Sequence, residues 1–174
     1  LALSIKYFKN PDAVLVFMGD GPAREVLGKI VEKNHLSGRV FFKEAVSQSE
    51  LLSWTASADI GVIPYPPVDL NSYLCTPNKL FEYMQAGLPM VANDLPELRR
   101  FVKETGFGWT APLTTPKKIA QALDAALSNP EGLREVRSNL LQQNGKFTWT
   151  AMSQVYVSAI NDVMKIHDSN TEVK

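Results

Sequence analysis

Continuous apolar runs alternate with helix-spaced apolar stripes along most of this chain. Residues 13–18 (AVLVFM) are apolar without a break, the pattern of a strand buried on both faces of a parallel sheet. A turn at 19–22 (GDGP) follows, and then Val26, Leu27, Ile30 and Val31 recur at the spacing of one helix face. RVFF (39–42) predicts a short strand. Ser47 with Glu50 forms a capping box for a helix carrying Leu51, Leu52 and Trp54. DIGVIPY (59–65) is a second buried strand, broken by Tyr-Pro-Pro. A polar, proline-rich loop spans 66–75, and a capped helix then runs from Thr76 to Gly87. PMVAN (89–93) predicts a strand, Pro96 starts a helix to about 104, and 108–111 is a weak strand. Three helices close the chain, over 116–128, 131–143 and 150–167. The last has Met152, Val155, Tyr156, Ala159, Ile160 and Val163 on one stripe.

Strands alternating with helices predict an α/β fold: a Rossmann-like parallel sheet with helices on both faces, plus extra C-terminal helices. In such sheets ligands bind at the carboxyl ends of the strands. The candidate loops are therefore 19–22, 43–46, 65–76 and 93–96. Residues 1–167 read as one domain and 168–174 as a polar tail.

Composition narrows the class. The 174 residues carry 18 Lys plus Arg against 18 Asp plus Glu, so no net charge draws the chain to nucleic acid or an anionic membrane. The single cysteine, Cys75, excludes an internal disulfide framework. No apolar run reaches the roughly 18 residues of a membrane span. The start (LALSIKYFKN) reads as an amphipathic helix with neither an initiator Met nor a signal-peptide layout, so the chain is expected to continue upstream.

The richest segment is TPNKLFEYMQAGLPM, 76–90. Thr76 suits an N-cap, Pro77 the first helical position, and Gly87 the left-handed C-terminal cap. Free N–H groups at such a helix start attract anions. Asn78, Lys79 and Glu82 share one face, and Glu82 lies about one turn, ~5.4 Å, from the mouth. That gap matches the distance between a nucleotide's phosphate and its ribose hydroxyls. An ordinary surface helix with a Lys79–Glu82 ion pair would use the same residues. Other constellations say less. The turn Gly19-Asp20-Gly21-Pro22 lacks the third glycine of a dinucleotide fingerprint. His35, His167 and Cys75 are too dispersed for a metal site, and no nucleophile elbow is present. Trp54, Trp109 and Trp149 are assigned to core packing. Arg99, Arg100 and Lys103 read as a solvated basic face.

Taken together, these residues resemble the C-terminal, donor-binding domain of glycosyltransferase family 4, the retaining GT-B enzymes. The matching stretches are VFMGDGP at 16–22, SELLSWTASADIGVIPY at 49–65, TPNKLFEYMQAGLPMVANDLPEL at 76–98, TGFGWTAP at 105–112 and FTW at 147–149. The resemblance implies that Glu82, the second glutamate of the family's Glu–seven residues–Glu motif, holds the donor ribose. It implies that the segment Thr76, Pro77, Asn78, Lys79 and Leu80 meets the donor phosphates. Gly19, Asp20, Gly21, Lys43 and Val46 would line the nucleotide pocket. The first motif glutamate is replaced by Leu74, so sugar recognition must differ, with Asn71, Asn78 or Lys79 as substitutes.

The implied activity is retaining, metal-independent transfer from a nucleoside-diphosphate sugar, in surface polysaccharide or glycoconjugate biosynthesis. No catalytic residue is assigned to this half, and no cofactor beyond the donor is implied. An upstream central strand and an N-terminal domain bearing the acceptor site are expected partners, and the chain alone is expected to be inactive. The expected location is cytoplasmic, including peripheral association at the inner membrane face. The rival readings are a GT-B nucleotide-sugar epimerase and a non-catalytic nucleotide-binding module.

Overall fold

The computed structural model describes residues 1–171, with side chains except those of 144 and 166–171. A 3-10 helix, Ala2–Tyr7, comes first, where an amphipathic helix is expected. Next come β1 (Leu15–Met18), α1 (Ala23–Lys33), β2 (Val40–Lys43), α2 (Gln48–Ala56), β3 (Gly61–Ile63), α3 (Leu70–Leu74) and α4 (Asn78–Gln85). They are followed by β4 (Met90–Asn93), α5 (Pro96–Leu98), β5 (Gly108–Ala111), α6 (Pro116–Leu127), α7 (Pro130–Gln143) and α8 (Trp149–Thr171). Every strand pairing is parallel, as the alternation predicts. The strands form two pieces, β1–β2 and β3–β4–β5.

The three-stranded piece is buried on both faces, and β4 shows why. Met90 and Ala92 point into a cluster with Leu80, Met84, Leu98, Val102 and Phe107. Val91, between them, points into the opposite cluster with Leu113, Ile119 and Leu123. Alternate residues of a strand face opposite sides, so α4 and the α5 segment cover one face while α6 covers the other.

The two-stranded piece differs from its sequence reading. Leu15, Phe17, Val40 and Phe42 pack with the first 3-10 helix and α1. Val14, Val16 and Phe41 on the other face remain 46–56% exposed. A continuous apolar run establishes that both faces are apolar, and here only one is covered. The stripe on α8 is likewise uncovered, with Met152, Val155, Tyr156, Ile160 and Val163 all exposed. Trp54 and Trp149 are also exposed, and of the three tryptophans only Trp109 joins a core cluster.

Other differences are local. The loop expected at 66–75 contains α3, because Asp69 accepts from the Ser72 amide at 2.6 Å and caps a single turn. The helix after Pro96 continues past α5 as a π-helical turn, Arg99–Glu104. α8 runs to Thr171, beyond the boundary expected at 167, and the rest of the expected tail, 172–174, lies outside the described residues. Among the described residues no helix is long and apolar enough to cross a membrane.

Candidate functional site

The helix α4 is held by its inner face. Leu80 and Met84 are buried four residues apart, with Phe81 and Tyr83 partly buried beside them. Burial raises the Tyr83 phenol above its ordinary value of 10.0, partly offset by its hydrogen bond with the Val62 backbone. The helix therefore sits fixed against β3, with its opposite face and its N-terminus turned outward.

Its start differs by one residue from the expected cap. Pro77 is the N-cap, with φ −70° and ψ 149°, and no side chain caps the helix. The extended ψ of Pro77 delays the first helical residue to Asn78, and Thr76 makes no capping bond. The early amides are thus left without a side-chain acceptor, which favours an anion there. The C-terminus is as predicted. Gly87 takes φ +64°, the Leu88 amide donates to Tyr83 O at 2.9 Å, and the Gly87 amide donates to Met84 O at 3.2 Å. This pair of bonds is a Schellman motif. Gly87→Ala is expected to cost at least about 1–2 kcal/mol from the left-handed backbone alone. A Cβ there would also lie 2.7 Å from Leu141 Cδ2. Chemical denaturation measures the loss.

The outward groups are uncommitted. Glu82 is partly buried and Lys79 exposed, and neither makes a hydrogen bond or ion pair among the described residues. The Lys79–Glu82 pair that an ordinary surface helix would show is therefore not formed. One carboxylate and one ammonium stand without an ion-pair partner on the helix whose start has no side-chain cap.

The remaining predicted residues form a second group at the ends of β1 and β2. Gly19 turns there with φ +120°, and its amide donates to Lys43 O at 3.0 Å, so the two loops are joined. A Cβ on Gly19 or Gly21 would meet nothing within 4 Å, so open space lies beside the turn. Asp20 pairs with Arg24 Nη1 at 2.8 Å and is exposed. Lys43 is the last residue of β2, its Nζ 4.7 Å from the centre of the Trp54 ring. Val46 is partly buried. Trp54 lies on α2, and α2 packs on α4. That helix therefore links the two groups.

Two features escaped the sequence reading. Asn93 is only 5% exposed, and its side chain bridges the ends of β3, β4 and β5. Its signal was a lone polar residue closing an apolar strand. The second is the partnering of the basic face: Arg99 Nε donates to Asp94 at 2.8 Å, and Arg100 pairs with Glu97 at 3.4 Å. Arg99 holds the Asp94 carboxyl below its ordinary 3.8. A depressed carboxyl contributes stability above its unfolded pKa and loses it as the pH falls through the folded value. The stability gap between wild type and Asp94→Asn should therefore be full at pH 7 and close as the pH drops below 3.8. Urea midpoints across that range measure it. An open cleft of about 360 Å³ lies elsewhere, between the end of α2 and α7. There Arg137 donates to Ala58 O at 3.2 Å and serves the C-terminal end of α2.

Parallel strand pairs flanked by helices place the fold in the Rossmann-like α/β class. The chain belongs to the family glycosyl transferases group 1, whose profile matches residues 2–129. It is 27% identical over 127 residues to an alpha-D-kanosaminyltransferase of Streptomyces kanamyceticus, covering 73% of this chain and 31% of that protein. Among solved structures it is similar to sucrose-phosphate synthase from Thermosynechococcus elongatus, with TM-score 0.70 at 22% identity over 92% of this chain and 41% of that one. It is also similar to Anabaena HepE in complex with UDP and glucose, with TM-score 0.74 at 14% identity over 92% and 44%. These neighbours share the GT-B fold. The chain thus spans between 31% and 44% of the length of these proteins.

Proposed function

We propose that this chain is the donor-binding half of a glycosyltransferase that takes its sugar from a nucleoside diphosphate. The observation that carries the reading is the unpaired Glu82 beside unpaired Lys79 and the uncapped start of α4. In this reading Glu82 accepts from the ribose hydroxyls. The amides of Asn78 and Lys79, with the Lys79 ammonium, face the diphosphate, and the Leu80 amide, which donates to Pro77 O at 2.9 Å, closes the turn beside them. Gly19, Asp20, Gly21, Lys43 and Val46 line the nucleoside side, and Asp20 also braces its turn through Arg24. Support also comes from HepE, whose solved complex contains UDP.

Transfer proceeds with retention and without metal or cofactor. The leaving group is a nucleoside diphosphate, and fixed amide dipoles and a cation can stabilise charge developing on it. The acceptor is held by a separate N-terminal domain, in a polypeptide acting at the cytoplasmic face of a membrane on surface polysaccharide or another glycoconjugate. Leu74, half-exposed at the end of α3, leaves sugar contacts to Asn71, Asn78 or Lys79. The test is calorimetric titration of UDP and GDP into this chain, followed by NMR of the product anomer that the full-length polypeptide forms from a labelled sugar nucleotide and an added acceptor. Binding of a nucleoside diphosphate and a product of retained configuration are expected. Failure of both nucleotides to bind would overturn the donor reading, and an epimerised free sugar nucleotide would replace transfer by epimerisation.

A further inference from the structure

We infer that Asn93 is the positioning residue of this site, fixing the segment 65–76 that delivers the chain to the start of α4. The inference rests on reading α4 as the donor site and adds a residue with no contact to the donor.

The segment has little of its own to hold it. Tyr65, Val68, Leu70, Tyr73 and Leu74 are each 41–76% exposed, so side-chain burial anchors it weakly. Its hydrogen bonds are mostly internal. Val68 N donates to Pro66 O at 2.9 Å, Tyr73 N to Asp69 O at 3.0 Å, and Ser72 N to Asp69 Oδ1 at 2.6 Å. Among the described residues, one hydrogen bond ties residues 65–76 to another element: Asn93 Nδ2 donates to Tyr65 O at 2.8 Å. The other end of the same amide is fixed twice. Asn93 Oδ1 accepts from Leu113 N at 2.9 Å and from Asp94 N at 3.2 Å. The side chain is thus oriented by the loops after β4 and β5 and holds the loop after β3.

Only a side chain with a donor at one end and an acceptor at the other can do this from one buried position. Aspartate keeps the acceptor and loses the donor. Threonine has a single oxygen and cannot reach both sides. The segment ends at Thr76, just before the N-cap Pro77, so releasing Tyr65 frees the approach to the amides of Asn78 and Lys79. A positioning role predicts loss of ligand affinity beyond any loss of fold.

The test compares wild type with Asn93→Asp and Asn93→Thr, the second covering the case in which the buried carboxylate prevents folding. The control is Thr115→Ala, which removes the Thr115 cap of α6 on the opposite side of the sheet. Two quantities are read: the rate of chymotrypsin nicking at Leu70, Tyr73 and Leu74 under native conditions, and the Kd for UDP. The Asn93 variants should be nicked at least tenfold faster in this segment and bind UDP at least fivefold more weakly. The control should change neither. Wild-type nicking rates in a folded Asn93 variant would overturn the inference, as would equal affinity losses in variant and control. If wild type binds no UDP while the Asn93 variants are still nicked faster, the donor reading fails and the hold of Asn93 on the segment stands.

Discussion

Glu82→Ala is expected to weaken the binding of a nucleoside diphosphate by about tenfold to a hundredfold while leaving the fold intact. A hydrogen bond to a charged group contributes about 1.5–3 kcal/mol, and each 1.4 kcal/mol is a factor of about ten in affinity. The fold should not register the change, because Glu82 makes no hydrogen bond or ion pair among the described residues. Its neighbours Leu80 and Met84 carry the packing of α4. Glu82→Gln keeps the shape and a neutral acceptor, so it should fall between wild type and alanine. Calorimetry of the three proteins at one ionic strength measures the series. Equal affinities would remove Glu82 from the site.

The largest effect on stability is expected at Phe107. Its side chain is 1% exposed, lies in the cluster that includes Leu80 and Met84, and meets the Phe147 ring edge-on at 6.1 Å between centroids. Truncation of a buried Phe to Ala costs about 3–5 kcal/mol, because the lost transfer energy is joined by a cavity. That is a large part of a typical domain stability of about 5–15 kcal/mol. Trp149→Ala provides the contrast. Trp149 is a larger residue but is 79% exposed, so its removal should fall within about 0.5 kcal/mol of neutral. Chemical denaturation monitored by circular dichroism separates the two. Similar losses at both positions would mean that the Phe147–Phe107 region is not the centre of the core.

How much could be read from the sequence depended on whether a local rule or a distant partner decided the outcome. β5 was placed at 108–111, and the Schellman end at Gly87 was anticipated, because glycine and the apolar run before it act locally. The capping box of Ser47 and Glu50 formed for the same reason, with the Ser47 amide donating to the Glu50 carboxylate at 3.3 Å. The start of α4 moved by one residue because Pro77 satisfies both the extended and the helical ψ, and the rest of the loop selected the first. α3 was missed because five residues are too few for a periodic signal.

The exposed stripes illustrate a different limit. Periodicity showed that Val155, Tyr156, Ile160 and Val163 share a face, and it carries no information about what covers that face. The same holds for Val14, Val16 and Phe41. At the candidate site, the sequence pointed to Glu82, Lys79 and the helix mouth through spacing. It could not decide whether Lys79 and Glu82 pair with each other, which only the side-chain geometry answers. Asn93 is held by the loops after β3 and β5, through Tyr65 and Leu113, both 20 or more residues away.

The central claim is that a nucleoside diphosphate sits at the start of α4, and backbone amide NMR of the protein titrated with UDP tests it most directly. The account predicts the largest shifts at Asn78, Lys79 and Leu80, smaller ones at Gly19 and Gly21, and their loss in Glu82→Ala. Shifts confined to another surface, such as the cleft lined by Asp59, Arg134 and Arg137, would contradict it.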